Sequence, residues 1–329
     1  MLKSETFPGK EISCVTCNER YIAIGFMDGT LCMYDKIQRS MQSWKGHEFR
    51  VTGLVLLWAD GLVSVGGDGY FKKWKDQRLE NQDNENHDGM GLVWSNYLCP
   101  TGIHALTQLS NGQFAVALFH NTVMISSETG DLLSAFMGHH GPVTDVIPLR
   151  EGYFASGSYD WSIRVEVPDR VVDVGSTPIS LAVSSCGKMV AAGCLDGYVR
   201  LFHLPEWNIK WSVRTVTRSL SFSPCGRWIV GANSIAIQIL SSTTGEDVLT
   251  IGTGRLERSM LYGHTVCFSP DGFHMYGDGR KDALCIWNLC KKDDCIASML
   301  YRQTSVVSKQ LFHNIRTKFK INFLYSQNE

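Results

Sequence analysis

The feature that most restricts how this 329-residue chain can fold is that it repeats itself. One clear unit opens with Gly46-His47 and continues through Val51-Thr52-Gly53-Leu54 and Leu62-Val63-Ser64-Val65-Gly66-Gly67-Asp68 to Tyr70-Phe71-Lys72-Lys73-Trp74. Another opens with Gly138-His139 and continues through Val143-Thr144-Asp145-Val146 and the run from Tyr153 to Asp160 to Trp161-Ser162-Ile163-Arg164-Val165. The offsets agree: His to Ser is 17 residues in both, and Ser to Asp is 4. A period of this length sets the meaning of every shorter motif, because a single unit cannot bury its apolar face alone and must stack on copies of itself.

Degenerate copies fill the rest of the chain. The position six residues after the turn Asp is occupied in turn by Tyr34, Trp74, Ser126, Glu166, Phe202, Leu240 and Trp287. The last is placed by its Trp, since Asp282 lies five residues before it. The mean spacing is about 42 residues, the length of a four-stranded propeller blade. The two longest intervals each hold a run without apolar periodicity, Asp76 to Gly89 and Gly252 to Gly263, which predicts surface loops between strands. Ser184-Ser185-Cys186-Gly187, Ser223-Pro224-Cys225-Gly226 and Ser269-Pro270-Asp271-Gly272 recur in register and predict hairpins between the first two strands of a unit. Alternation within a weak unit puts Leu181 and Val183 on one face, Ala182 and Ser184 on the other.

These units resemble the WD40-repeat family, whose repeat is bounded by a Gly-His pair and a Trp-Asp dipeptide. The resemblance runs from Leu2 to about Asn288 and implies an all-β fold, a seven-bladed propeller with four antiparallel strands per blade over residues 1–288. Residues 2–7 are expected to close the ring as the fourth strand of the blade ending at Trp287, with Cys295 to Leu300 as the rival for that slot. Residues 289–329 are expected to form a basic C-terminal extension, partly packed or disordered.

His47, Ser64, Asp68 and Trp74 match the family's hydrogen-bonded quartet, and His139, Ser156 and Asp160 repeat three of its members. An indole N–H, a hydroxyl, an imidazole and a carboxylate can satisfy one another in sequence, so the set reads as a structural brace. On paper it also resembles an acid–base–nucleophile triad, but recurrence in a second unit favours the structural reading. Glu166 replaces the Trp in that unit and removes the indole donor.

Other chemistry is sparse. Cys14 and Cys17 are three residues apart, an odd offset that sends strand side chains to opposite faces and separates them as metal or redox partners. Cys285, Cys290 and Cys295 read as packing or loop thiols. His47-Glu48 lacks the second His of a metalloprotease helix, Val51 standing in its place. Asp83, Glu85 and Asp88 lack the ligand ladder of a calcium loop. No nucleophile elbow, phosphate loop or dinucleotide fingerprint is present. The expectation is a protein without catalytic residues, cofactor or metal.

Composition agrees with an ordinary globular chain: 44% hydrophobic, with 31 basic and 32 acidic residues and a formal net charge of −1. Near-neutrality argues against reliance on a basic face for nucleic acid. No run approaches the ~18 apolar residues of a membrane span, and Met1 to Phe7 lacks the pattern of a signal peptide. Eleven scattered cysteines, an odd number, read as reduced thiols of a cytoplasmic or nuclear protein.

The family resemblance places partner binding on the narrower propeller face, where the Gly-His loops and the turns between second and third strands lie. Phe49, Arg50, Tyr70, His140, Tyr159, Trp161, Tyr198, Arg280 and Lys281 fall there, with Tyr159 and Trp161 flanking a turn Asp. Aromatic and Arg side chains dominate interface hot spots, although inter-blade packing competes for Tyr70 and Tyr198. The expected role is a non-catalytic scaffold, a monomeric propeller within a hetero-complex that binds proteins or peptides and no membrane. A second, local resemblance concerns the last unit. Gly279-Arg280-Lys281-Asp282 before Cys285-Ile286-Trp287, then Leu300-Tyr301-Arg302 and Phe312, is similar to a blade boundary of the Cajal-body WD-repeat proteins that handle telomerase and small guide RNAs. It implies a rival role, small-RNA binding through the basic tail. An enzyme built on a propeller is the third alternative.

Overall fold

A computed structural model describes residues 10–57, 61–76, 90–166, 169–215, 217–233, 236–252, 265–278 and 284–288. Among the described residues, apart from one 3-10 turn at Arg150–Gly152, the regular elements are strands, all paired antiparallel with their neighbours in sequence. Blade one holds β1 (Ile12–Cys17), β2 (Tyr21–Phe26), β3 (Thr30–Asp35) and β4 (Ser40–Lys45); blade two holds β5 (Val51–Leu56), β6 (Gly61–Gly66), β7 (Tyr70–Asp76) and β8 (Met90–Tyr97). Blade three comprises β9 (Ile103–Gln108), β10 (Phe114–Leu118), β11 (Thr122–Ser126) and β12 (Leu132–Met137), and blade four β13 (Val143–Pro148), β14 (Phe154–Ser158), β15 (Ser162–Val165) and β16 (Arg170–Asp173). Blade five runs through β17 (Pro178–Val183), β18 (Met189–Cys194), β19 (Tyr198–His203) and β20 (Asn208–Arg214), and blade six through β21 (Ser219–Phe222), β22 (Trp228–Ala232), β23 (Ala236–Ser241) and β24 (Asp247–Gly252). Blade seven has three strands among the described residues, β25 (Val266–Phe268), β26 (His274–Asp278) and β27 (Leu284–Asn288).

The protein is therefore a seven-bladed β-propeller, and the repeat register maps one unit onto each sheet. Tyr34, Trp74, Ser126, Phe202, Leu240 and Trp287 lie in the third strands, and Glu166 follows directly on β15. Residues 2–7 and 289–329 lie outside the described residues, as do most of the two long loops. The three Ser-x-x-Gly turns join first to second strands as expected. Each Ser hydroxyl accepts a backbone N–H five residues on, from Met189, Trp228 and His274 at 2.9–3.0 Å.

Burial explains why the repeat must close on itself. The second strands are buried along both faces, as in the YIAIGF of β2 and the FAVAL of β10, because a blade lies on either side. Outer strands such as β4 alternate half-buried and exposed residues. Apolar side chains form seven clusters, one at each interface around the ring. Leu181, with Val183 packed against its cluster, faces blade four, whereas Ala182 faces blade six. The cluster of Ile12, Val15, Ile22, Ile24, Phe26 and Cys32 with Tyr276 joins blade one to blade seven.

A second ring runs inside the first. In blades one to five a bulge interrupts the pairing of the first strand near its start, leaving Ser13, Thr52, His104, Thr144 and Ile179 out of register. A bulge re-aims its side chain, and three of these reach the carbonyl just before the next blade's bulge. The Thr52 hydroxyl donates to Ile103 O at 2.6 Å, His104 Nδ1 to Val143 O at 2.9 Å, and the Thr144 hydroxyl to Pro178 O at 2.5 Å.

Candidate partner-binding face

The turns between second and third strands share one end of each blade with the loops that lead into the first strands. In blade two the buried quartet holds this end. Trp74 can only donate, and its Nε1–H gives a 2.8 Å bond to Ser64 Oγ. The Ser64 hydroxyl is then committed to His47 Nε2 at 2.8 Å, which leaves Nδ1–H to donate to Asp68 at 2.9 Å. Asp68 also accepts the backbone N–H groups of Glu48 and Tyr70. Burial works against the Asp68 charge, but the bonds from His47, Glu48 and Tyr70 outweigh it and hold the carboxyl below its ordinary pKa. Gly66 is needed beside the ring, since a Cβ there would sit 2.7 Å from His47 Nδ1.

Blade four repeats this with one member lost. His139 Nδ1 donates to Asp160 and the Ser156 hydroxyl to His139 Nε2, both at 2.9 Å. Glu166 supplies no indole N–H, and its half-buried carboxyl is raised in pKa by desolvation. Ser162 adds a hydroxyl donating to Asp160 at 2.6 Å. Against the upward pull of burial, the bonds from Ser162, the His140 N–H and His139 hold Asp160 at about 2. Burial lowers the His139 pKa, and the bond to Asp160 only partly offsets it.

The turns themselves reveal a contrast that composition hides. The residue after the turn Asp has a positive φ in blade one (Gly29, 82°), blade two (Gly69, 77°) and blade five (Gly197, 84°), and its counterpart in blade three is Asn121 at 60°. In blade four that residue is Trp161, at 69°. The backbone is used alike in each case: the Trp161 N–H donates to Ser158 O at 3.2 Å, as Gly29, Gly69 and Gly197 donate to Phe26, Gly66 and Cys194. The Trp161 carbonyl accepts from Val174, as Gly69 accepts from Leu98 and Gly197 from Thr215. A left-handed conformation costs an L-residue with a Cβ roughly 1–2 kcal/mol, and the indole is 61% exposed, so burial does not repay it.

Of the other residues expected on this face, Phe49, Tyr159 and His140 are exposed, and the His140 N–H is held by Asp160 at 2.8 Å. Tyr70 leans on Tyr97 of its own blade, ring centroids 5.2 Å apart, with the Lys72 ammonium 4.9 Å from its ring. Tyr198 is half-buried beneath the Arg200 guanidinium, which is paired through two nitrogens with Asp196. Arg50 is half-buried. Arg280 and Lys281 lie outside the described residues, as does all of the small-RNA resemblance except Cys285-Ile286-Trp287. Two exposed residues escaped the sequence reading. Phe119 and Leu195 precede the turn positions of blades three and five, in the register of Tyr159, so the repeat alignment itself could have found them. Phe49, Phe119, Tyr159, Trp161 and Leu195 thus place exposed apolar groups on one end of four successive blades.

Cys14 and Cys17 part company in space, Cys14 facing Val51 of blade two and Cys17 facing blade seven. Among the described residues no three His, Cys, Asp or Glu side chains group as metal ligands, and no helix is long and apolar enough to cross a membrane.

With this geometry in hand, comparison with known proteins agrees on the class. The profile of the family "WD domain, G-beta repeat" matches residues 130–165 and 172–203, which cover the outer strand of blade three and most of blades four and five. Over these two stretches the chain is similar to that repeat family. Half of it is similar to the COMPASS component SWD2 of Saccharomyces cerevisiae, 27% identical over 183 residues and 55% of that protein. Half is likewise similar to periodic tryptophan protein 2 of the same yeast, 25% identical over 171 residues, and to its Schizosaccharomyces pombe homolog, 28% over 173. The matched part spans little more than half of the first relative's length and under a fifth of the other two.

Proposed function

We propose that this protein is a non-catalytic WD40 scaffold that holds a peptide or domain of a partner protein across its narrow face, with Tyr159 and Trp161 of blade four as the anchors. The observation that carries this reading is the exposed Trp161 indole on a left-handed backbone where three other blades carry glycine. Strain retained without a packing return belongs to functional positions, and an exposed Trp beside an exposed Tyr is the composition of a binding hot spot. Phe119, Leu195 and Phe49 extend the apolar surface along the same end of the ring. The quartets act as braces that hold the turns in place. A relative named as a component of COMPASS supports a place in a multiprotein complex.

The test is affinity purification of the full chain with its bound proteins and RNA identified, beside the Tyr159→Ala/Trp161→Ala double variant. The expected result is loss of a principal protein partner with Tm within about 2 °C of the parent. A fall in Tm of more than about 5 °C would assign both side chains to the core. Retention of RNA that weakens steeply between low and moderate salt would favour the ribonucleoprotein alternative.

A further inference from the structure

We propose that Cys17 and Cys267 are a thiol pair that a peroxide converts to a disulfide, bonding the first blade covalently to the last. The two sulfurs lie 3.8 Å apart although 250 residues separate them in sequence. Cys17 ends β1 and Cys267 is the middle residue of β25, so the pair sits on the seam where the ring closes. This seam differs from its neighbours. Among the described residues, the adjoining interface between blades six and seven buries Val266, Phe268, Met275, Cys285 and Trp287 of blade seven, whereas the cluster at the closing seam buries Tyr276 from that blade, with Cys267, Leu284 and Ile286 partly buried against it. Polar links supplement it: Cys17 Sγ lies 3.3 Å from Phe268 O, and Lys36 of blade one reaches across to place its ammonium 5.2 Å from the Tyr276 ring.

The surroundings also suit thiol chemistry. The hydrogen bond from Cys267 lowers the Cys17 pKa, burial opposes it, and the Lys36 charge reinforces it. The same bond, together with burial, pushes Cys267 well up. Cys17 is thus the more readily ionised of the two sulfurs, and thiolate character decides reactivity. Cys14, by contrast, is pushed up to about 12 and Cys194 to about 11, both by burial.

The step balances with hydrogen peroxide as the oxidant. The Cys17 thiolate attacks one peroxide oxygen, the O–O bond breaks, and Cys17 becomes a sulfenic acid with release of hydroxide. The Cys267 sulfur then attacks Cys17, forming the S–S bond as the S–O bond breaks. The departing hydroxide takes the Cys267 proton as water, so two thiols and one peroxide give a disulfide and two waters. The sulfurs must close from 3.8 Å to about 2.05 Å. In a reducing compartment such a bond persists only while oxidant is present.

The experiment treats the full chain with equimolar to tenfold hydrogen peroxide, blocks remaining thiols with an alkylating reagent, and maps peptides by mass spectrometry beside a Tm measurement. The expected product is a Cys17–Cys267 cross-linked peptide two hydrogens lighter than the two thiol peptides. With it comes a rise in Tm of about 5 °C or more, because a cross-link closing so long a loop restricts the unfolded chain strongly. Dithiothreitol should reverse both, and C267S should show neither. Recovery of both residues as alkylated thiols, at a dose that modifies the exposed Cys186 and Cys225, would overturn the proposal. If C267S fails to fold, the peptide map and the Tm of the parent chain decide the matter alone.

Discussion

Blades two and four are built on the same plan and have diverged in opposite directions. Blade two keeps the complete donor chain from Trp74 through Ser64 and His47 to Asp68, and Gly69 supplies the left-handed turn residue. Blade four gives up the indole donor to Glu166, adds the Ser162 hydroxyl, and places Trp161 where glycine would be free of strain. Ser64 serves two partners, whereas the side-chain bond of Ser156 is to His139. The lesson is that the two repeats place their indoles differently: Trp74 is buried in a donor chain, whereas Trp161 stands exposed on a left-handed turn.

Exchanging the turn residues breaks the comparison most sharply. A Cβ on Gly69 would overlap the Cys99 carbonyl oxygen at a positive φ, so Gly69→Ala should cost about 3 kcal/mol or more and lower Tm by several degrees. Next in size is the pair Ser64→Ala and Ser156→Ala. The first strands both a buried indole N–H and an imidazole nitrogen and should cost about 2–4 kcal/mol, the second strands one nitrogen and should cost about 1–2. Equal losses in thermal or denaturant unfolding would mean that the missing indole is immaterial. Trp161→Gly should then be neutral or stabilising by up to about 1 kcal/mol while partner binding is lost; a destabilised variant would show that the indole packs after all.

Acid provides the smallest effect. His139 has a folded pKa below its unfolded value, so its contribution is intact above about pH 6.5 and declines as the unfolded imidazole takes up a proton that the folded one resists. Asp160, at about 2 when folded, contributes fully above about pH 4 and loses that contribution as pH falls through about 2. Tm should therefore fall in two stages on acidification, and Asp160→Asn should flatten the lower one. An unchanged slope below pH 4 in that variant would show that other carboxylates, Asp68 among them, carry the acid response.

Much of this was legible in residue order because the repeat reports its own register. The 17- and 4-residue offsets are separations between strands of fixed length, so they locate the quartet's residues before any coordinates exist. The Ser-x-x-Gly hairpins were readable for the same reason, since each turn is decided by a few adjacent residues. Tyr70 and Tyr198 were ambiguous because a position two residues past the turn can face either solvent or the next strand. Their partners, Tyr97 and Arg200, lie on a paired strand or two residues further on. Phe119 and Leu195 were missed because their units lack the Gly-His and Trp landmarks, although they stand in the register of Tyr159.

The sequence by itself determined the number of blades, the quartet of blade two and three of its counterparts in blade four, because these depend on periodicity and on separations along one chain. Only the tertiary structure decided which side chains bridge blades. The bulge hydrogen bonds of Thr52, His104 and Thr144 and the meeting of Cys17 with Cys267 depend on backbone direction and on neighbours tens to hundreds of residues away. Ring closure creates those neighbours, and no local pattern encodes the distance across a seam.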